Sequence, residues 1–146
     1  MGNTVTEITC AIASKLKNIE PLVALGEKFG AFCGFGEDES VQIGMALREA
    51  LNNAVVHGNG KDASKEVRVV FQCTGEEIRI SVKDEGPGFS TNGLPDPTDP
   101  MNLLKTSGRG IFCIHNFMDR VDLSRASREG GEIIMFKRLL SSCEST

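Results

Sequence analysis

Arg48–Gly60 reads Arg-Glu-Ala-Leu-Asn-Asn-Ala-Val-Val-His-Gly-Asn-Gly, and its reading decides the fold. Glu49, Asn53 and His57 recur every fourth residue. On an α-helix that spacing stacks them on one face, each step rising roughly 6 Å along the axis. A carboxylate able to act as a base, an amide and an imidazole then share a stripe, while Leu47, Leu51, Ala54 and Val55 supply apolar packing. The helix is expected to start near Glu37-Asp38-Glu39-Ser40, where acidic and capping residues suit its positive end. It is expected to stop at Gly58-Asn59-Gly60, a strong terminator. Burying a polar stripe costs free energy unless something satisfies it, so the stripe is expected to line a site.

On either side the pattern alternates between helix and strand. Upstream, Ile8–Ala13 suits an edge strand, and Asn18–Phe32 has helical spacing with Pro21 in its first turn. Downstream, Glu66–Cys73 and Glu77–Lys83 read as a hairpin about Thr74-Gly75-Glu76. Ile78, Ile80 and Val82 point to one side of it and Arg79, Ser81 and Lys83 to the other, so one face is buried. After the proline- and glycine-rich stretch Ser90–Ser107, order resumes as a short helix over Ile111–Met118. Strands over Val121–Ser124 and Glu132–Leu139 follow, with Gly130-Gly131 as the turn before the last. A structureless stretch as long as Ser90–Ser107 inside a compact domain suggests a functional lid, placed at about Phe89–Gly108. The order of elements predicts an α+β fold, a two-layer sandwich with helices on one face of a mixed, mainly antiparallel sheet. A single domain over residues 1–146 is expected, long enough to bury about 70% of its unfolded surface.

Composition limits the partners. A net charge of −4 without a basic run argues against nucleic acid. Nothing approaches the roughly 18 apolar residues of a membrane span, and the start Met-Gly-Asn-Thr-Val lacks a signal peptide's basic and apolar regions. No membrane association and a cytoplasmic location are therefore expected. Cys10, Cys33, Cys73, Cys113 and Cys143 are odd in number and never spaced Cys-x-x-Cys, which fits reduced, mostly buried thiols better than disulfides or a zinc site.

Two further constellations accompany the polar stripe. Asp84-Glu85-Gly86-Pro87-Gly88 lies where a strand ends; Asp84 can present a carboxylate to a ligand N–H, and Gly86 and Gly88 let the backbone approach closely. Ser107-Gly108-Arg109-Gly110 opens a helix whose free N–H groups and dipole suit an anion, with Lys105 and Arg109 adding charge for phosphates. Neither a P-loop nor a Gly-x-Gly-x-x-Gly after a strand is present. Each constellation alone has a bland reading as solvated helix surface, turn or cap. All three in this order, joined by a lid, point to a purine-binding carboxylate, a phosphate cradle and a helix able to hold an ion and a base.

These motifs resemble those of a known superfamily. Glu-Ala-Leu-Asn-Asn-Ala (49–54) resembles the N-box, Asp-Glu-Gly-Pro-Gly-Phe (84–89) the first glycine box, and Ser-Gly-Arg-Gly-Ile-Phe (107–112) the second glycine box of the GHKL, or Bergerat-type, ATPases. Within that superfamily, the His57-Gly58 pair and Ile-Phe-x-Ile-His-Asn-Phe-Met-Asp (111–119) look most like the anti-sigma-factor serine/threonine kinases of bacteria. The resemblance implies a histidine-kinase-like ATPase fold, ATP with Mg²⁺ as cofactors, and an antagonist protein and a sigma factor as partners; it leaves homodimerisation open. It places Glu49 as general base, Asn53 as the Mg²⁺ ligand, His57 near the phosphates and Asp84 as the adenine reader. Gly86 and Gly88 would open the adenine pocket, and Gly108 and Gly110 would face the phosphates. The chain departs from the family at two points. Glu132-Ile133 follow the last glycine pair where a threonine is usual, and no arginine precedes Arg48 where related kinases carry one in the first helix. Two other readings compete with a kinase: a nucleotide-sensing binding module without turnover, and the ATP-binding part of a split histidine kinase. The latter would need a partner chain, since His57 and His115 both fall in elements already assigned.

Overall fold

The computed structural model describes residues 5–85, 110–126 and 130–139. Strand β1 (Thr6–Ala13) leads through a 3-10 turn at Leu16–Asn18 into α1 (Ile19–Cys33), with Pro21 in the first turn as expected. Gly34, in the left-handed region at φ 115°, ends α1, and Gly36 caps the start of α2 (Glu37–Asn52). Then come β2 (Glu66–Cys73), β3 (Glu77–Lys83), α3 (Gly110–Phe117), β4 (Arg120–Ala126) and β5 (Gly130–Arg138).

The five strands form one sheet in the order β1-β2-β3-β5-β4, and each of the four pairings is antiparallel. The architecture is the expected α+β arrangement, with no parallel pairing among the described strands. Periodicity explains the layers. Along α1, Ile19, Leu22, Val23, Gly26, Phe29 and Gly30 are buried, and along α2 Ile43, Ala46, Leu47, Ala50 and Leu51. Both stripes have helical spacing. In the sheet, Val67, Val69, Phe71 and Cys73 of β2 and Ile78, Ile80 and Val82 of β3 alternate inward and join the same core. Phe29 meets Phe71 with ring centroids 5.6 Å apart. The helix pair is pinned outside the core by Arg48, whose guanidinium makes a two-pronged contact to Glu20 at 2.7 and 2.9 Å and draws that carboxyl below its ordinary range.

The opposite face of the sheet is polar, with Gln72 bridging Arg79 and Glu7. Its one large aromatic, Phe136, is shielded by Arg120, whose guanidinium lies 3.8 Å from the ring centroid, and by Arg79 at 5.8 Å. Ser81, expected to face solvent, is buried between its cross-strand partners Val70 and Ile134. Gly130 and Gly131 differ from expectation more sharply. They are the first residues of β5, paired with Ala126 and Arg125, not the turn itself. The reason is their contact with Asp84, described below. Residues 86–109, which hold the whole of the expected lid together with Gly86, Gly88, Lys105, Ser107, Gly108 and Arg109, lie outside the described residues. Among the described residues no helix is long and apolar enough to cross a membrane, and no cluster of metal-ligating side chains forms.

Truncating Phe71, fully buried between sheet and helices, is expected to lower unfolding free energy by about 3–5 kcal/mol. Ile134→Ala, on the half-buried open face, should cost less than half as much. Denaturant titration of both variants checks the assignment of faces, and equal losses would refute it.

Candidate nucleotide-binding site

The central helix changes character where its chemistry begins. It is α-helical to Asn52, then continues as a π-helical segment over Asn53–Gly58. Asn53 still bonds back to Ala50 and Glu49, but the N–H of Asn59 reaches the carbonyl of Ala54 and that of Lys61 reaches Val55. The expected stripe is corrected by this wider turn. Glu49 and Asn53 remain α-helical neighbours, whereas His57 falls inside the π-helical segment, where the regular α-helical pitch no longer holds. His57 accordingly faces solvent, while Asn53, Ala54 and Val55 are buried and Glu49 is half-buried.

Gly58 meets Asp84 there. Asp84, one residue past β3, is buried, and its carboxylate lies directly against the Gly58 backbone; any side chain at position 58 would overlap it. From the other side, the Asp84 N–H donates to the Gly131 carbonyl and the Gly131 N–H donates to Asp84 Oδ1, both at 3.0 Å. Gly130, at φ 90°, packs on the Asp84 carbonyl where a Cβ could not fit. A conformation favouring glycine together with this close approach makes Gly130-Gly131 the wall of a site. Asp84 is thus clasped between the end of the central helix and the start of β5.

Asn53 contrasts with it. The amide is buried, and neither its nitrogen nor its oxygen has a hydrogen-bond partner among the described residues. An orphaned buried amide costs about 1–3 kcal/mol, so folding alone does not account for it. A group that donates to it or accepts from it would recover that loss. Both the amide and the Asp84 carboxylate therefore fit a polar ligand at this end of the sheet. Helix α3 packs against α2, and Gly110 is its first residue. Its far end is fixed by Lys137, whose Nζ donates to the Phe117 carbonyl at 2.9 Å.

Asn59 was not singled out by sequence beyond its place in a terminator, and it proves central. It is 3% exposed; its Nδ2 donates to Ser14 Oγ at 2.7 Å and to the Glu66 carbonyl at 3.0 Å, and its Oδ1 accepts from the Glu85 N–H at 2.8 Å. An asparagine between two glycines at a helix end was the available signal, because its amide can mimic backbone. Among the described residues Cys10, Cys33 and Cys73 are free; Cys73 is buried as expected, whereas Cys10 and Cys33 are half-buried, and burial pushes their thiols up.

The histidine kinase-like ATPase domain family matches residues 12–137 of this chain. A protein named anti-sigma F factor from Oceanobacillus iheyensis is 30% identical over 109 residues, covering 72% of this chain and 73% of its own length. An anti-sigma F factor from Clostridium perfringens is 32% identical over 106 residues, covering 70% and 74%. A protein named serine-protein kinase RsbW from Bacillus cereus is 30% identical over 110 residues, covering 71% and 67%.

Two outcomes follow from the geometry. Asn53→Leu, which replaces the orphaned amide by an apolar group of similar shape, should stabilise the ligand-free protein by about 1–2 kcal/mol; calorimetric unfolding reads it, and a loss would contradict the orphaned state. Gly58→Ala should destabilise by about 2 kcal/mol, and adding Asp84→Ala should relieve most of that penalty. A double-mutant cycle with no coupling would refute the contact.

Proposed function

We propose the following function for a chain that belongs to the histidine kinase-like ATPase domain family: it binds ATP with Mg²⁺ beside the central helix and acts as a serine/threonine kinase of the anti-sigma-factor type. The acceptor is a hydroxyl on a small antagonist protein, and its phosphorylation state governs sequestration of a sigma factor. The observation that carries this reading is the buried, unpartnered amide of Asn53, one helical turn from Glu49 and on the side of the helix where Gly58 meets Asp84. The names of the relatives support the choice of acceptor.

The residues divide the work by chemistry. Asp84, held by the Gly131 N–H, accepts from the exocyclic amine of adenine. Asn53 would hold Mg²⁺ through its amide oxygen, and the ion would supply positive charge that offsets that of the phosphates. Gly110 at the start of α3 offers backbone N–H groups and the positive helix end to the phosphates, joined by Lys105, Ser107, Gly108 and Arg109. Gly86 and Gly88 line the adenine pocket. His57, turned to solvent, stands at the rim, where it can meet the phosphates or the acceptor protein. Glu49 takes the proton of the attacking hydroxyl as its oxygen bonds to the γ-phosphorus. The bond to the bridging oxygen breaks, and ADP leaves. Glu49 is half-buried and open enough for an acceptor to reach, while the neighbouring Arg48 is turned toward Glu20.

Incubation with labelled ATP·Mg²⁺ and a cognate antagonist domain tests the reading. Transfer to a serine or threonine is expected, falling by at least about a hundredfold in Glu49→Ala while ATP binding persists. Transfer that survives this substitution would overturn the role of Glu49. Tight ATP binding with no turnover would favour the sensing module, to which the Glu132-Ile133 departure already leans.

A further inference from the structure

Asn59 lies outside the motifs assigned to nucleotide contact, yet its buried side chain makes three hydrogen bonds. Its three hydrogen bonds join four segments: its own helix end, Ser14 after β1, Glu66 at the start of β2, and Glu85 in the loop leaving β3. Ser14 is itself fully buried and donates to the Lys65 carbonyl at 2.9 Å. The Glu85 carboxylate accepts from the Glu66 N–H at 2.7 Å, so the loop is tied twice to the start of β2.

We propose that Asn59 is a positioning residue for purine recognition: by accepting from the Glu85 N–H it fixes the residue after Asp84, and so the direction in which the Asp84 carboxylate faces a purine nucleotide. The proposal rests on the reading of Asp84 as the adenine acceptor. Two contacts act on neighbouring residues of this loop, one on Asp84 and one on Glu85. Without Asn59, Glu85 would keep, among the described residues, the tie between its carboxylate and the Glu66 N–H. Gly58, immediately before Asn59, lies against the carboxylate, so a shift of the Asn59 amide also moves the surface on which Asp84 rests. The helix that carries Asn53 and the loop that reads the base are thereby held in one register by a single side chain.

The inference separates from simple structural support. Ser14→Ala removes one partner of Asn59 and a buried hydroxyl but leaves the bond to Glu85. It should lower Tm yet keep affinity for a non-hydrolysable ATP analogue within about twofold. Asn59→Ala should lower Tm comparably, weaken the analogue about tenfold and narrow the preference for ATP over GTP by a similar factor, both read by calorimetry below the transition. Amide exchange supplies a readout free of ligand: the Glu85 N–H should be as protected as β3 in the unaltered protein and in Ser14→Ala, and should lose protection in Asn59→Ala. An unprotected Glu85 amide in the unaltered protein overturns the inference even where Asn59→Ala does not fold. So does equal loss of affinity in the two variants, or unchanged purine preference in Asn59→Ala. Failure of the unaltered protein to bind ATP, with the exchange pattern as expected, overturns the nucleotide reading instead and leaves the clamp standing.

Discussion

The reciprocal pair of hydrogen bonds between Asp84 and Gly131 is the constraint on which this end of the molecule depends. It extends the pairing of β3 and β5 one residue past the last regular rung, Lys83 with Glu132. A carboxylate would ordinarily leave the core for water at that point. Here main-chain donors keep it buried, and a buried carboxylate is tolerable only with such partners. Two glycines make the arrangement possible. Gly58 yields the space for the carboxylate, and Gly130 yields the space for the carbonyl behind it. Neither contact is local in sequence, so the helix end, the β3 exit and the β5 start must arrive together.

Asn53 and Asn59, six residues apart on the same helix end, show the two fates of a buried amide. Asn59 has every hydrogen-bonding need on its oxygen and nitrogen met and ties the fold together. Asn53 has none met and costs stability in the protein alone. A sequence selected only for stability would place an apolar residue at 53. Retaining the amide there marks the boundary between scaffold and site, and the π-helical turn falls at that boundary. Asn59 thus serves the scaffold, while the amide of Asn53 is left without a partner among the described residues.

Much of this was legible in the sequence. The strands and helices follow from period-2 and period-3.6 patterns that the core obeys, and β2 and β3 end where the alternation of Val67–Cys73 and Ile78–Val82 ends. Glu49, Asn53 and Asp84 were legible because each stands in a motif with a local cause. The place of His57 was not: equal spacing presumes a constant helical pitch, and the helix changes from α to π at Asn53. Gly130-Gly131 was misread as a turn. A glycine pair signals freedom of the backbone, and only the tertiary contact with Asp84 shows that the freedom serves close approach. Ser14 carried no signal at all, since its burial depends on two partners 45 and 51 residues away.

The departure at Glu132-Ile133 takes on a different weight once the register is known. Ile133 pairs with Val82 on the helix side of the sheet, and Glu132 pairs with Lys83 on the other, so neither replaces a hydroxyl with a group of similar chemistry. What holds the Asp84 carboxylate in this chain is a main-chain N–H, which does not depend on the side chain at either position. A hydroxyl lost beside the carboxylate therefore removes one potential partner of a ligand without loosening Asp84 itself. Affinity and geometry are separable at this site: the first is open to variation in β5, and the second is held by Gly131, Gly58 and the loop tie through Asn59. Side chains in β5 can thus vary while the direction of the Asp84 carboxylate stays fixed.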